Sequence, residues 1–251
     1  MFAEAATTPE VSLQHGFPPS TAGRAHPRWS LGTACCRTGP FGLAPKELEP
    51  LVLSHRRLKM GQALYRAGDA FQSIYLVRSG FIKTVVLLED GREQVTGLYM
   101  PGETLGMDGI ASDSYASDAV ALDDSEVCVV PYDRLETLSR EVSGVQRYLH
   151  RLFSHEIVRE QRMMLLLGSM RAEERVAAFL LNLSERFTAL GFSASEFVLR
   201  MTREEIGSLL GMKLETVSRI FSRFAKDGLI QIEGKHVRIV SSSGLRRVIS
   251  H

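Results

Sequence analysis

The chain has 251 residues, of which 44% are hydrophobic and 24% charged, a composition typical of globular proteins rather than disordered or fibrous ones. Its apolar runs are far too short to cross a bilayer, and its first residues lack the pattern of a secretory signal. We therefore expect a cytoplasmic protein with no membrane partner. Three cysteines are too few for a disulfide framework.

Charge is divided unevenly along the chain. Residues 200–251 carry ten Lys and Arg against five Asp and Glu, whereas the whole chain has a net charge of only +1. A basic C-terminal region is typical of a nucleic-acid-binding module, although a solvated basic face would show the same excess. We find no Ser/His/Asp set, phosphate-binding loop or metal-ligand spacing, so we do not expect an enzyme.

The N-terminal half predicts a tail followed by a β-domain. Residues 1–40 are rich in Ala, Thr, Pro, Ser and Gly without periodicity, which indicates a flexible tail. Residues 41–132 contain short β-rich runs separated by glycines, and Asp90-Gly91 is a strong hairpin signal. Strands at this spacing predict a sandwich, barrel or jelly roll. The predicted strands are Ser73–Val77, Phe81–Leu88, Gln94–Tyr99, Ser117–Leu122 and Glu126–Val130.

Residues 133–171 predict a long helix. They contain no proline, and their apolar residues recur every three or four positions, with a break near Ser143-Gly144. The C-terminal half carries more apolar surface than one underlying domain requires, which favours a dimerisation helix. A helix packed only on its own β-domain is the alternative. The residues expected at the dimer contact are Ile157, Glu160, Met164 and Leu167.

Residues 172–251 predict a winged helix-turn-helix domain, which makes the chain α+β. A helix over Glu173–Leu190 comes first. Thr202-Arg203-Glu204-Glu205 is a capping box that opens the next helix, and Gly211 supplies the turn. A second helix follows over roughly Leu214–Lys226. Alternation on both sides of Gly234 then predicts a β-hairpin wing.

The second of these helices has two distinct faces. At about 100° per residue, Val217, Ile220 and Phe224 share one side, and small or hydrogen-bonding residues share the other. Such a polar face suits base edges in the major groove, and a lysine at the wing tip suits a phosphate. A winged helix used only for protein contacts is the alternative. The residues expected to contact DNA are Thr202, Glu215, Thr216, Ser218, Arg219, Ser222, Arg223 and Lys235.

Several motifs together resemble the CRP/FNR superfamily, and its FNR branch in particular. The most specific is Glu-x-x-Ser-Arg, which runs from Glu215 to Arg219. The resemblance extends from about Pro40 to the C-terminus. It implies a β-roll of the cyclic-nucleotide-binding type, a dimerisation helix, and a homodimer on palindromic double-stranded DNA with TTGAT-like half-sites that controls anaerobic or redox-responsive genes. Further matching motifs are Ala67-Gly68-Asp69, Pro101-Gly102-Glu103, Ala172-Glu173-Glu174-Arg175, Met201-Thr202-Arg203, Ile206-Gly207, Leu210-Gly211 and Arg223-Phe224.

The sensor is where the chain departs from the FNR pattern. The resemblance implies a [4Fe–4S] cluster on four cysteines. Cys128 matches the ligand from the β-roll, but the other three positions are Trp29, Gly32 and Thr38. A metal site would have to combine Cys128 with Cys35 or Cys36, or add a ligand such as His26 or His15; a buried, inert Cys128 is the alternative. The alternatives to cluster sensing are a haem or small-molecule effector and constitutive action.

Three further expectations come from the resemblance. Cyclic AMP is not expected, because the stretch 106–117 lacks the glutamate and arginine with which CRP proteins bind phosphate. RNA polymerase contacts are implied at Phe192-Ser193 and at the Asp90–Glu93 turn. Glu160 stands where FNR proteins carry an aspartate, and two such carboxylates at a two-fold axis would repel each other. Pairing of Glu160 with Arg159 or Arg162 is equally compatible with the sequence.

Overall fold

The computed structural model describes residues 54–250. The predicted tail over residues 1–40 and the N-terminal positions of the cysteine site lie outside the described residues, so those expectations stay predictions. The positions concerned are His15, His26, Trp29, Gly32, Cys35, Cys36 and Thr38.

Eight antiparallel strands form a β-roll of two four-stranded sheets. They are β1 (Ser54–Leu58), β2 (Ala63–Tyr65), β3 (Ser73–Ser79), β4 (Ile82–Leu87), β5 (Glu93–Tyr99), β6 (Thr104–Leu105), β7 (Asp118–Ala121) and β8 (Ser125–Pro131). One sheet has the order β1-β8-β3-β6 and the other β2-β7-β4-β5. All five predicted strands are present. The sequence did not predict β1, β2 and β6, because such short or charged runs carry little alternation.

Aromatic side chains fill the centre of the β-roll. Tyr65 stacks on Tyr115 with ring centroids 3.9 Å apart, and Tyr75 lies beside them. The rest of this core is largely aliphatic and comes from both sheets. At the turn between β3 and β4, Gly80 has a φ of 82°, and a Cβ there would lie 2.2 Å from Ser125 Oγ. Only glycine fits this close approach of the turn to β8.

Two helices follow the roll, α1 (Tyr132–Glu141) and α2 (Ser143–Ser169). The helical conformation is interrupted at Val142, whose backbone is extended, one residue before the predicted break. The N-terminal half of α2 packs on α1 and the roll through Val145, Leu149 and Leu152. The C-terminal half of α2, where the sequence has more apolar residues than one domain requires, extends beyond this contact. No helix within residues 54–250 is both long and apolar enough to cross a membrane.

The C-terminal domain is a winged helix-turn-helix. It consists of α3 (Ala172–Ala189), β9 (Glu196–Val198), α4 (Arg203–Leu210), α5 (Leu214–Lys226), β10 (Ile230–Glu233), β11 (His236–Ile239) and α6 (Ser242–Ile249). The wing hairpin is extended by β9 into a three-stranded sheet of order β10-β11-β9. The sequence pattern predicted neither β9 nor α6, because β9 has three residues and α6 opens on serines and a glycine. The helix α6 packs against α3.

The β-roll and the winged helix share one apolar core. Val85, Val95, Leu98 and Met100 of the roll belong to the same cluster as the buried residues of α3, α4 and α5. The predicted domain division at residue 172 stays a prediction, since packing runs across it. The shared core holds the helix-turn-helix in a defined orientation on the β-roll of its own chain.

Candidate nucleic-acid interface

The helix-turn-helix begins at the predicted capping box. Glu205 N donates to Thr202 Oγ1 over 3.1 Å, and Thr202 N donates to Glu205 Oε2 over 2.7 Å. At the other end of α4, Gly211 adopts the left-handed conformation with φ 65° and ψ 42°. Both features were predicted, and together they satisfy backbone groups at the two ends of α4.

Gly207 lets the turn pack tightly against α4. A Cβ at this position would lie 2.6 Å from the carbonyl oxygen of Met212, a backbone atom that cannot move without shifting the turn. Met212 N in turn donates to the Gly207 carbonyl over 2.9 Å. The angle between α4 and α5, and hence the direction in which α5 points, depends on this contact.

We expect Gly207→Ala to destabilise the protein by about 1–3 kcal/mol, because the added methyl overpacks a backbone contact. Denaturant unfolding followed by circular dichroism measures the change. The control is Gly144→Ala in α2, where a Cβ meets nothing within 4 Å. Equal stability of Gly207→Ala and Gly144→Ala would contradict the role assigned to Gly207.

The helix α5 has the two faces that the sequence predicted. Its buried side consists of Val217, Ile220, Phe221 and Phe224, which join the shared core. Glu215, Arg219 and Ser222 are exposed on the opposite side, and Thr216 and Ser218 are half-buried at its margins. The polar residues predicted to contact DNA therefore lie together on the outer surface of the domain.

Two of these side chains form hydrogen bonds to the backbone of α5 itself. Arg219 Nε donates to the Glu215 carbonyl over 3.3 Å, and Ser222 Oγ donates to the Ser218 carbonyl over 3.0 Å. These weak local bonds leave both side chains at the surface. Because each bond stays within one helical turn, breaking it would not disturb the packing of α5.

Arg223 differs from the other predicted DNA contacts. Its guanidinium forms an ion pair with Glu173 in the first turn of α3, and it lies 3.8 Å from Asp227. Arg223 is exposed, so both pairs face solvent and hold the side chain only weakly. A phosphate contact by Arg223 would require it to exchange these partners.

The wing carries its basic residue at the tip. Lys235 is exposed beside Gly234, whose φ of 59° turns the hairpin. The carbonyl of Lys235 accepts a bond from Leu199 N over 2.8 Å, so the backbone of the tip is anchored while the side chain extends outwards. Thr202 is also exposed, at the start of α4.

Polar bonds attach α4 to the edge of the β2-β7-β4-β5 sheet. Lys83 Nζ of β4 lies 2.7 Å from Glu205 Oε1, with both side chains mostly buried. Val95 N on the edge strand β5 donates to Ser208 Oγ over 2.8 Å, and the Gln94 side-chain amide donates to the Ser208 carbonyl. Burial would raise the pKa of Glu205, but Lys83 and Thr202 outweigh it and lower that pKa. The capping glutamate thus also joins the two domains.

Arg175 connects the junction between α2 and α3 to the end of α4. Its guanidinium donates to three carbonyls: Leu167 over 2.7 Å, Met170 over 2.9 Å and Leu210 over 3.0 Å. One side chain therefore satisfies the C-terminal ends of both α2 and α4. Sequence reasoning noted Arg175 only as part of a family motif, and its role could not be found without the three-dimensional contacts.

The C-terminal half of α2 exposes an apolar stripe. Ile157 is 59% exposed, Met164 70% and Leu165 63%, and Val158 lies beside them. Glu160 is exposed at the border of this stripe. Leu167 differs, because it is half-buried and lies 3.3 Å from where a Cβ on Gly211 would stand. Of the four predicted dimer residues, three lie at the surface and Leu167 faces the helix-turn-helix of its own chain.

A cluster of charges lies where the roll, α2 and α3 meet. The Arg186 guanidinium donates two hydrogen bonds to the Glu103 carboxylate, over 2.6 and 2.9 Å. The Arg159 guanidinium stacks over the Tyr99 ring, 4.1 Å from the ring centroid. Burial would raise the pKa of Glu103, but the two arginines outweigh it and lower that pKa. Arg159 also pairs with Glu156 at 3.5 Å. The cluster fixes α2 relative to both domains.

Cys128 is the one cysteine within the described residues 54–250. Cys128 is buried, and its sulfur lies 3.6 Å from His55 Nδ1 on the neighbouring strand β1. Within residues 54–250, no three His, Cys, Asp or Glu side chains cluster in a way that could hold a metal ion. The sequence offers only three cysteines in all, so its donor set does not fit a cluster held by four thiolates.

The stretch aligned with a phosphate-binding turn carries an acid instead. The Asp108 carboxylate accepts bonds from Ser117 Oγ at 2.8 Å and from Ala116 N at 3.2 Å. It therefore occupies donors that an anionic ligand would need, and its own charge would repel a phosphate. The expectation that cyclic AMP does not bind stays a prediction.

Two family models match the sequence. A cyclic nucleotide-binding domain matches residues 55–142, and a Crp-like helix-turn-helix domain matches residues 174–248. These ranges cover the β-roll with α1 and most of the C-terminal domain.

Curated relatives match most of the chain. The transcriptional regulatory protein Btr of Bordetella pertussis is 45% identical, over 87% of this chain and 90% of that protein. The transcriptional activator Anr of Pseudomonas aeruginosa is 48% identical, over 85% and 87%. The fumarate and nitrate reduction regulatory protein of Salmonella typhimurium is 42% identical, over 84% and 86%.

Solved structures agree with these matches. FixK2 from Bradyrhizobium japonicum superposes with a TM-score of 0.72 at 29% identity, over 78% of this chain and 96% of that one. The c-di-GMP-responsive regulator CLP of Xanthomonas campestris has a TM-score of 0.60 at 26% identity, over 75% and 94%. The β-roll, the helix-turn-helix and these relatives lead to one assignment: the chain belongs to the CRP/FNR family, within its FNR-like branch, and is a DNA-binding transcription regulator.

Proposed function

We propose that the protein binds, as a homodimer, a palindromic operator with TTGAT-like half-sites and regulates genes of anaerobic or redox metabolism. The observation that carries the proposal is the surface of α5, where Glu215 and Arg219 are exposed and Ser218 is half-buried beside them, while the apolar side of the helix is buried. Regulators of this family bind DNA and act as dimers. Every relative named above is a regulator, which supports a protein that is not an enzyme.

Each of the polar side chains expected to contact DNA has a chemical role in this proposal. Arg219 donates two hydrogen bonds to the O6 and N7 atoms of guanine, Glu215 accepts from cytosine N4, and Ser218 contacts an adjacent base. The remaining residues contact the sugar-phosphate backbone and fix the register of the protein. They are Thr202, Thr216, Ser222, Arg223 and Lys235.

The dimer axis in this proposal runs along the apolar stripe of α2. Burying Ile157 and Met164 against a second copy supplies the hydrophobic stabilisation, and the two copies of Glu160 weaken it. Leu167 contributes to the dimer contact only if the junction between α2 and α3 changes conformation, because Leu167 already packs towards Gly211. A dimer balanced in this way responds to a signal worth a few kcal/mol.

The signal is proposed to differ from that of the four-cysteine FNR proteins. A four-thiolate cluster does not fit the three cysteines of this chain, and Asp108 opposes a cyclic nucleotide. A haem, another small effector or constitutive action remain the candidate modes of control. RNA polymerase is the proposed protein partner, and exposed Phe192 and the β4–β5 turn are the proposed contacts.

The central test is binding to short duplexes. Fluorescence anisotropy with two inverted TTGAT half-sites, about one helical turn apart, is compared with a scrambled duplex at the same salt concentration. We expect preference for the operator by about 1,000-fold or more, as specific regulators typically show. Equal affinity for the two duplexes would overturn the proposed function.

The sensor has its own test. We expect protein purified without oxygen to contain neither stoichiometric iron nor acid-labile sulfide, and to show no cluster absorbance in the visible range, because four thiolates are lacking. Iron and sulfide in equal, stoichiometric amounts would contradict this prediction and direct attention to a non-cysteine ligand such as His15 or His26.

A further inference from the structure

Two methionines have exposed side chains within residues 54–250. Met164 of α2 is 70% exposed, and Met60, in the turn between β1 and β2, is 72% exposed. The other six methionines in this part of the chain are buried or half-buried. The thioether of methionine is readily oxidised, and an exposed sulfur is open to an oxidant in solution. The two exposed residues are therefore similar in access but differ in surroundings.

Met164 lies within the apolar stripe proposed as the dimer contact. Ile157 precedes it by seven residues, or about two helical turns, so the two side chains lie on the same face of α2. The adjacent Met163 is half-buried and packs against the core shared by the roll and the winged helix. Met163 thus stabilises its own chain, whereas Met164 is exposed on another side of the helix. A second copy on the stripe would cover the Met164 sulfur.

Oxidation changes the character of this side chain. The lone pair of the Met164 sulfur attacks one oxygen of hydrogen peroxide, and the O–O bond breaks as the S–O bond forms. The second oxygen leaves as hydroxide, which takes the remaining proton of the transferred oxygen and becomes water. Sulfur loses two electrons, and the peroxide gains them. The sulfoxide is polar, and its neighbours Ile157 and Leu165 carry no side-chain donors, so burying it between two copies would cost free energy.

We propose that Met164 is an oxidation site that controls dimerisation: a peroxide oxidises it in the monomer, and the sulfoxide prevents two copies from associating. The inference rests on the proposed function, since it requires the stripe of α2 to be the dimer contact. It supplies an oxidant-sensitive residue in a chain whose three cysteines do not fit a four-thiolate cluster. The sequence placed Met164 at the dimer contact but gave no role to its sulfur.

The first test compares oxidation of the two exposed methionines. Sedimentation of untreated protein first identifies one concentration at which it is monomeric and one at which it is dimeric. Each sample receives a short pulse of hydrogen peroxide, catalase stops the reaction, and peptide mass spectrometry measures both sulfoxides. We expect Met164 and Met60 to be oxidised at similar rates in the monomer, but Met164 much more slowly than Met60 in the dimer. A Met164 that resists oxidation in the monomer, or reacts equally fast in both samples, would overturn the proposal.

The second test asks whether the Met164 sulfoxide dissociates the dimer. After peroxide treatment, dithiothreitol reverses disulfides and sulfenic acids on the cysteines but leaves methionine sulfoxide in place. We expect the dimer dissociation constant, measured by analytical ultracentrifugation, to rise about thirty-fold or more, because each dimer buries two unpaired polar groups. Operator binding measured by anisotropy should weaken as well. Methionine sulfoxide reductases A and B, which together reduce both sulfoxide epimers, should reverse both effects.

Matched variants assign the effect to one sulfur. Met164→Leu keeps an apolar side chain of similar volume but has no sulfur, so we expect peroxide to leave its own dissociation constant unchanged. Met60→Leu removes the similarly exposed methionine outside α2, and its dimer should dissociate on oxidation as that of the wild type does. Dissociation of peroxide-treated Met164→Leu, or a persistent wild-type dimer that carries the Met164 sulfoxide, would overturn the role of Met164 while leaving the proposed dimer intact. Untreated protein that is monomeric at every concentration would instead overturn the proposed dimer, and the oxidation site with it.

Discussion

Arg219→Ala is expected to weaken binding to the operator about 5- to 150-fold and to remove the preference at one base pair. Arg219 is exposed on the outer face of α5, and its guanidinium makes a weak bond to the Glu215 carbonyl, within its own helix. Little protein structure is therefore lost with the side chain. The loss falls on the two hydrogen bonds that guanine would receive.

Arg219→Lys separates charge from shape in this experiment. Lysine keeps the positive charge but lacks the planar fork that bonds guanine twice, so we expect it to restore the salt dependence of binding without restoring discrimination. Anisotropy is measured on the operator and on duplexes with each base pair of one half-site changed. If Arg219→Ala still discriminated against the same changes as the wild type, Arg219 would not read bases.

The recognition helix could be predicted because its determinants are local. The capping box at Thr202 and Glu205, the turn at Gly211 and the 100° periodicity of α5 each involve residues close together in sequence. The structure confirms the bounds of α5 and its buried side. A local pattern of this kind specifies both the helix and the face that it exposes.

The joint between the domains could not be predicted in the same way. Lys83 and Glu205 are 122 positions apart, and a lone lysine on a strand gives no signal of its partner. The bonds of Ser208 to the edge of β5 also depend on the packed arrangement. The capping box already accounted for Glu205 in the sequence, so nothing there indicated its second contact, with Lys83.

These contacts bear on how a signal could reach the DNA. Glu205 bonds Thr202 at the start of α4 with one oxygen and Lys83 of the roll with the other. A displacement of β4 is therefore transmitted to the first turn of the helix-turn-helix. Arg175 makes a similar link between the end of α2 and the end of α4. The orientation of α5 thus depends on both the roll and α2.

Ile157→Glu is expected to shift the protein from dimer to monomer and to weaken operator binding as a consequence. Ile157 is 59% exposed in the single chain, so a glutamate there costs little unless a second copy covers it. Each dimer would bury two such changes, and losing two aliphatic contacts alone costs about 3 kcal/mol or more, roughly a hundred-fold in the dimer dissociation constant. Burying the carboxylates adds to this cost.

The comparison with Leu87→Glu makes the test specific. Leu87 is 69% exposed, more than Ile157, but it lies on the roll and not on α2. Two largely exposed residues should both tolerate glutamate in a monomer, so a loss confined to Ile157→Glu reports a covering partner. Analytical ultracentrifugation across a concentration series should show dissociation of Ile157→Glu only. Identical sedimentation of both variants and the wild type would exclude this stripe from the dimer contact, because the same charge would then be harmless at both positions.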